Sequence, residues 1–91
     1  MGNLIYPDGT HRDVVPEDGK HFTLDELQEL VGGYIELLRN PKGKDFDVVL
    51  NEEGKLHGLE ANPAATEYCG VTGLDTLVGN VLILTGEERL Q

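Results

Sequence analysis

Apolar positions in this chain fall into short runs of two different periods. Leu24, Leu27, Leu30 and Val31 recur at helical spacing and form one apolar face. Phe46, Val48 and Leu50 alternate with polar or opposite-facing residues, as a strand requires. Val81-Leu82-Ile83-Leu84 is apolar at every position, which marks a central strand buried on both faces. Two segments share a pattern: Leu30-Val31-Gly32-Gly33 and Leu77-Val78-Gly79-Asn80 each precede an apolar strand. Each reads as a chain reversal that needs positive φ at a residue with little or no side chain.

The helix has a full set of start signals. Thr23 and Glu26 have capping-box spacing, Phe22 and Leu27 occupy the ends of a hydrophobic staple, and Asp25, Glu26 and Glu29 suit the helix dipole. Gly32-Gly33 stops it. Before it, Leu4-Ile5-Tyr6 and Val14-Val15 flank the turn Pro7-Asp8-Gly9-Thr10, predicting a hairpin. After it, a strand from Tyr34 to Leu38 puts Ile35 and Leu37 on one face and Tyr34, Glu36 and Leu38 on the other. Asn51 opens a turn, and Leu56 to Leu59 are expected to return as a short strand. Asn62-Pro63 starts a second helix, with Asn as N-cap and Pro at its first position, ending near Cys69-Gly70. A last turn is expected at 75–78.

The predicted order is about ββαβββαβ. This is an α+β domain with a small mixed or antiparallel sheet and two short helices on one side of it. The 91 residues are read as one domain: an N-terminal hairpin at 1–20, a core at 22–84 and a frayed tail at 85–91.

Charge and composition narrow the function more than the fold. Seventeen acids against seven bases give a net charge of −10, which repels nucleic-acid backbones and speaks against duplex binding. No apolar run reaches the roughly 18–20 residues of a membrane span. A single cysteine forbids an internal disulfide and suits a reducing compartment, so a cytoplasmic location is expected. A chain this short hides only roughly 60–65% of its unfolded surface, and a homo-oligomer, most simply a homodimer, would bury more.

In chain order, the segments Thr23 to Glu36, Asn51 to Lys55, Asn62 to Thr66 and Val78-Gly79-Asn80 resemble the small phage and bacterial family catalogued as domain of unknown function 3846. The resemblance spans about residues 22 to 84 and brings no agreed activity. It implies a phage or mobile-element setting, hence the host cytoplasm. Short acidic accessory proteins there inhibit host defence by sequestering a nucleotide signal or by occupying a host protein.

Catalytic chemistry finds little support. The chain contains no serine, so a serine nucleophile is excluded. Cys69 falls at a helix C-terminus, where the dipole disfavours a thiolate, and reads as a buried, inert residue. His11, His21 and His57 lie apart and lack zinc spacing. Asp45, Asp47 and Glu52 lack the spacing of a calcium loop and read as a solvated hairpin. No enzyme activity, metal or cofactor is therefore expected.

The only positive cluster is Arg39, Lys42 and Lys44. Thr66, inside the second helix, has no evident structural role, and Glu36 on its strand needs a polar partner. By residue type, a ligand site would draw on Tyr34 for stacking. Arg39, Lys42 and Lys44 would meet phosphate, and Asn51 and Thr66 a base or ribose. The expected function is non-enzymatic sequestration of a small nucleotide; the alternative is inhibition of a host protein through the acidic surface.

Overall fold

Seven elements are present in the computed structural model, which describes residues 2–39, 45–70 and 76–86. They are β1 (Gly2–Ile5), β2 (His11–Val14), α1 (Leu24–Val31), β3 (Ile35–Arg39), β4 (Asp47–Asn51), α2 (Pro63–Cys69) and β5 (Val81–Leu84). The five strands form one antiparallel sheet in the order β2-β1-β5-β4-β3. β5 sits at its centre, as its uniform apolarity predicts, and all four of its residues are buried.

The alternation of side chains along β5 decides the layering. Leu82 and Leu84 join Leu4, Val49, Phe22 and the α1 residues Leu27 and Val31 in one apolar cluster. Val81 and Ile83 join Ile5, Val48, Leu50 and the α2 residues Ala65 and Cys69 in another. Since successive strand residues point to opposite faces, the two helices lie on opposite sides of the sheet. The expectation of helices on one side is thereby corrected. A strand apolar at every position needs a cover on each face, and one short helix supplies each.

α1 starts as its sequence requires. The Glu26 amide donates to Thr23 Oγ1 (3.2 Å), and Glu26 Oε1 accepts from the Thr23 amide (2.8 Å). Glu26 Oε2 also accepts from the Glu17 amide (2.8 Å), which ties the incoming chain to the first turn. Leu27 and Val31 face the sheet, whereas Leu24 is 57% exposed. Phe22 packs into the core ahead of the helix, and Leu24 is left outside the apolar stripe.

Residues 52–58 are successive turns, so the short strand expected at 56–59 is absent there. Asn51 Oδ1 accepts from the Glu53 amide (2.8 Å) and starts the reversal. The His57 amide then donates to Glu53 (2.9 Å) and the Leu59 amide to Gly54 (2.9 Å). Backbone groups spent locally cannot join a ladder. Leu56 is accordingly 79% exposed.

The two Leu-Val-Gly segments do not form equivalent structures. The first closes α1; the second makes the isolated bridge Ala61–Val78. Both third-position glycines do have positive φ, 81° at Gly32 and 73° at Gly79. Gly33 is constrained by space instead: an added Cβ would lie 2.8 Å from Asn51 Nδ2. The segments also meet, because Asn80 Nδ2 donates to the Leu30 carbonyl at 3.2 Å.

Three carboxylates cap local backbone, and all three are held below their ordinary pKa range. Asp8 is lowered by the Thr10 hydroxyl and amide, and Asp18 by the Lys20 and His21 amides. Glu26 is lowered by the Thr23 and Glu17 amides. A folded value below the unfolded one gives stability that is complete above the unfolded pKa and lost as pH falls through the folded value. The urea midpoint is therefore expected to hold from neutrality to about pH 5 and to fall below about pH 4. Glu26→Gln should flatten part of that decline. A midpoint constant down to about pH 3 would remove these caps from the account.

Candidate functional site: an acidic cleft and a tyrosine groove

α1 packs over β4, β3 and β5, which leaves the same face of β1 and β2 open beside it. The result is a cleft of about 640 Å³. Leu4 and Phe22 are buried beneath it, and Tyr6, Val14 and Leu30 are half-buried along it. Glu26 and Glu29 come from the helix and Glu17 from the chain leading into it; Asp13 borders the cleft through β2, but its carboxylate accepts from Asn3 Nδ2 (3.1 Å) on the opposite face of the sheet. Arg12 is the one cation among the described residues of the lining; its Nε donates to Tyr6 Oη at 2.9 Å. Capping duty keeps Glu26 ionised at neutral pH, because its acid form would lose bonds from two amides.

A second, smaller groove of about 280 Å³ lies at the C-terminal end of α1. Gln28, Gly32, Gly33, Tyr34, Asn51, Glu53 and His57 line it. Tyr34 is 67% exposed, and its carbonyl accepts from the Glu52 amide at 2.8 Å. His57 Nε2 lies 3.8 Å from Glu53 Oε1.

Of the described residues predicted for a nucleotide site, only Tyr34 and Asn51 share this groove. The Asn51 carboxamide is spent on structure: Nδ2 donates to the Val31 carbonyl (3.3 Å) and Oδ1 accepts from Glu53. Arg39 closes the far end of β3, roughly 16 Å from Tyr34 at strand rise. There its Nη1 lies 3.9 Å from Oδ2 of Asp47, its cross-strand neighbour. Lys42 and Lys44 lie outside the described residues, as does Asp75 of the turn expected at 75–78 and residues 87–91 of the tail.

Thr66 has the structural role its sequence position concealed. Its hydroxyl donates to the Asn62 carbonyl (2.8 Å) and accepts from the Leu77 amide (2.9 Å), splicing α2 to the segment before β5. Glu36 is exposed, so solvent satisfies it. Cys69 is fully buried in the α2 cluster. Asp47 is buried rather than part of a solvated hairpin. Among the described residues, no three His, Cys, Asp or Glu side chains are grouped to hold a metal ion.

Sequence reasoning missed the cleft acids because nothing local says that the N-terminal hairpin lies alongside α1. The pair Glu26 and Glu29 beside Leu30 was the available signal, an acidic edge next to a half-buried apolar residue.

The described residues thus form a two-faced α+β domain with an acidic cleft and a separate tyrosine groove. The chain belongs to the family described as Domain of unknown function (DUF3846), whose profile matches residues 4–90. No curated protein and no solved structure matches it. No helix among the described residues is long and apolar enough to cross a membrane.

Proposed function

We propose that the protein works by binding, without catalysis, and that the 640 Å³ cleft receives a basic amphipathic segment of a protein partner. In the phage-type setting that the family resemblance implies, this is inhibition of a host protein through an acidic surface. The observation that carries it is the cleft's composition: carboxylates of Glu17, Glu26 and Glu29 around the apolar residues Leu4, Val14, Phe22 and Leu30. An apolar face laid into the cleft would be flanked by Lys or Arg facing those acids. The net charge of −10 adds steering at long range.

Titration with a Lys/Arg-rich amphipathic helical peptide, followed by calorimetry, tests this. Binding should weaken with salt, and Glu17→Gln with Glu29→Gln should weaken it about three- to tenfold. An acidic peptide of equal apolarity should not bind. Equal binding of both peptides, or binding indifferent to the double substitution, would sink the reading.

Capture of a small nucleotide is the second reading, favoured by the exposed ring of Tyr34 at the rim of its groove. Native mass spectrometry with cyclic and ADP-ribose-type nucleotides separates the two readings. A retained nucleotide adduct supports the second, and a peptide adduct alone supports the first.

A further inference from the structure

We infer that the groove beside Tyr34 binds a planar guanidine-type group, a flat unit with adjacent outward N–H donors. An arginine side chain and the edge of a guanine base both present one. This goes beyond the cleft and does not depend on it.

Size, shape and charge each narrow the ligand. At about 280 Å³ the groove falls just under the roughly 300–1,000 Å³ of sites for drug-sized ligands, so it suits a single planar group. Gly32 and Gly33 give it a wall without side chains, where a flat ligand can approach the backbone. Tyr34 supplies an uncovered ring for stacking or for a cation–π contact.

Glu53 supplies the complementary charge. The His57 ring nitrogen lies 3.8 Å from Glu53 Oε1, beyond hydrogen-bond distance, so the carboxylate keeps its capacity for a forked donor pair. Its backbone position is fixed, because its amide donates to Asn51, itself tied to α1. Gln28 adds a carboxamide, both donor and acceptor, to the lining. Among the described residues, the lining contains no Lys or Arg. An anionic group would therefore meet a carboxylate without a compensating strong base, whereas a planar donor group meets an acceptor and an aromatic face.

The test is an amide-resonance titration of the intact chain with N-acetyl-arginine methylamide, its lysine counterpart, guanosine and guanosine monophosphate. Shifts are expected at Gly32, Gly33, Tyr34, Glu53 and His57. The lysine compound should bind about fivefold more weakly, because a compact ammonium cannot make the planar pair. Glu53→Gln and Tyr34→Leu should each weaken binding about tenfold. Both side chains are partly exposed, so the fold survives either change, and the unperturbed core resonances verify it.

Shifts from the arginine compound alone would identify a side-chain ligand, and shifts from guanosine alone a base; either supports the site. Equal binding of lysine and arginine compounds, tighter binding of the monophosphate than of guanosine, or indifference to Glu53→Gln would overturn it. Glu17→Gln with Glu29→Gln should leave these shifts unchanged, which separates failure here from failure of the cleft.

Discussion

Asn62→Ala is expected to cost about 3–5 kcal/mol of unfolding free energy. Asn62 is fully buried and joins three separate segments. Its Nδ2 donates to the carbonyls of Ile5 (2.9 Å) and Gly79 (2.8 Å), while Oδ1 accepts from the Ala65 amide (3.1 Å) as the α2 N-cap. Truncation leaves two buried carbonyls without this donor, at about 1–3 kcal/mol each, and removes a cap worth about 0.5–2 kcal/mol. A domain of this length has only about 5–14 kcal/mol in total, so urea unfolding should show a large shift in midpoint.

Asn62→Asp separates the two roles. Aspartate keeps the capping oxygen but turns the paired donor into an acceptor facing two carbonyls. It should be at least as damaging as alanine. Were Asn62→Asp close to wild type, the cap alone would explain the residue and the cross-links to Ile5 and Gly79 would carry no weight.

The second large effect lies on β5. Leu82→Ala and Ile83→Ala should each destabilise by about 2–5 kcal/mol, although the residues are adjacent and point to opposite faces. Leu82 is buried beneath α1 and Ile83 beneath α2, so each change opens a cavity in a different layer. Were both helices on one side, one of the two positions would be solvent-facing and its truncation nearly neutral. Chemical denaturation of the two variants distinguishes these cases. A loss under about 0.5 kcal/mol, the usual range for surface substitutions, at either position would contradict the two-faced core.

Much of the local structure was legible because its causes are local. The capping box of α1 sits within four residues, and the Asn62-Pro63 start and Gly70 stop of α2 lie within one short segment. The uniform apolarity of β5 likewise carried its own evidence of double burial. Leu56 to Leu59 misled because an apolar residue at each end suggests a strand, while the Asn51–Glu53 hydrogen bond had already committed the chain to turns. Thr66 looked unexplained for a different reason: its second partner, the Leu77 amide, lies eleven positions away.

The candidate sites were the least legible part. Tyr34 was picked out by type and does line a groove, but Gln28, Glu53 and His57 join it only through the reversal after β4. Arg39 was grouped with the lysines by proximity in sequence, and the β3–β4 register gives it Asp47 as its cross-strand neighbour.

By itself, the sequence determined most of the element types, the caps, the central strand, the acidic charge and the family, but not the turns at 52–58. Each rests on interactions within a few residues, or on composition. Only the tertiary structure decided that the helices flank the sheet on opposite faces, that the hairpin and α1 enclose an acidic cleft, and that three asparagines tie distant segments together. Those outcomes depend on which strand pairs with which and on which carbonyls are left without partners once the sheet has formed. No local pattern encodes such long-range choices; burial and hydrogen-bond satisfaction settle them together.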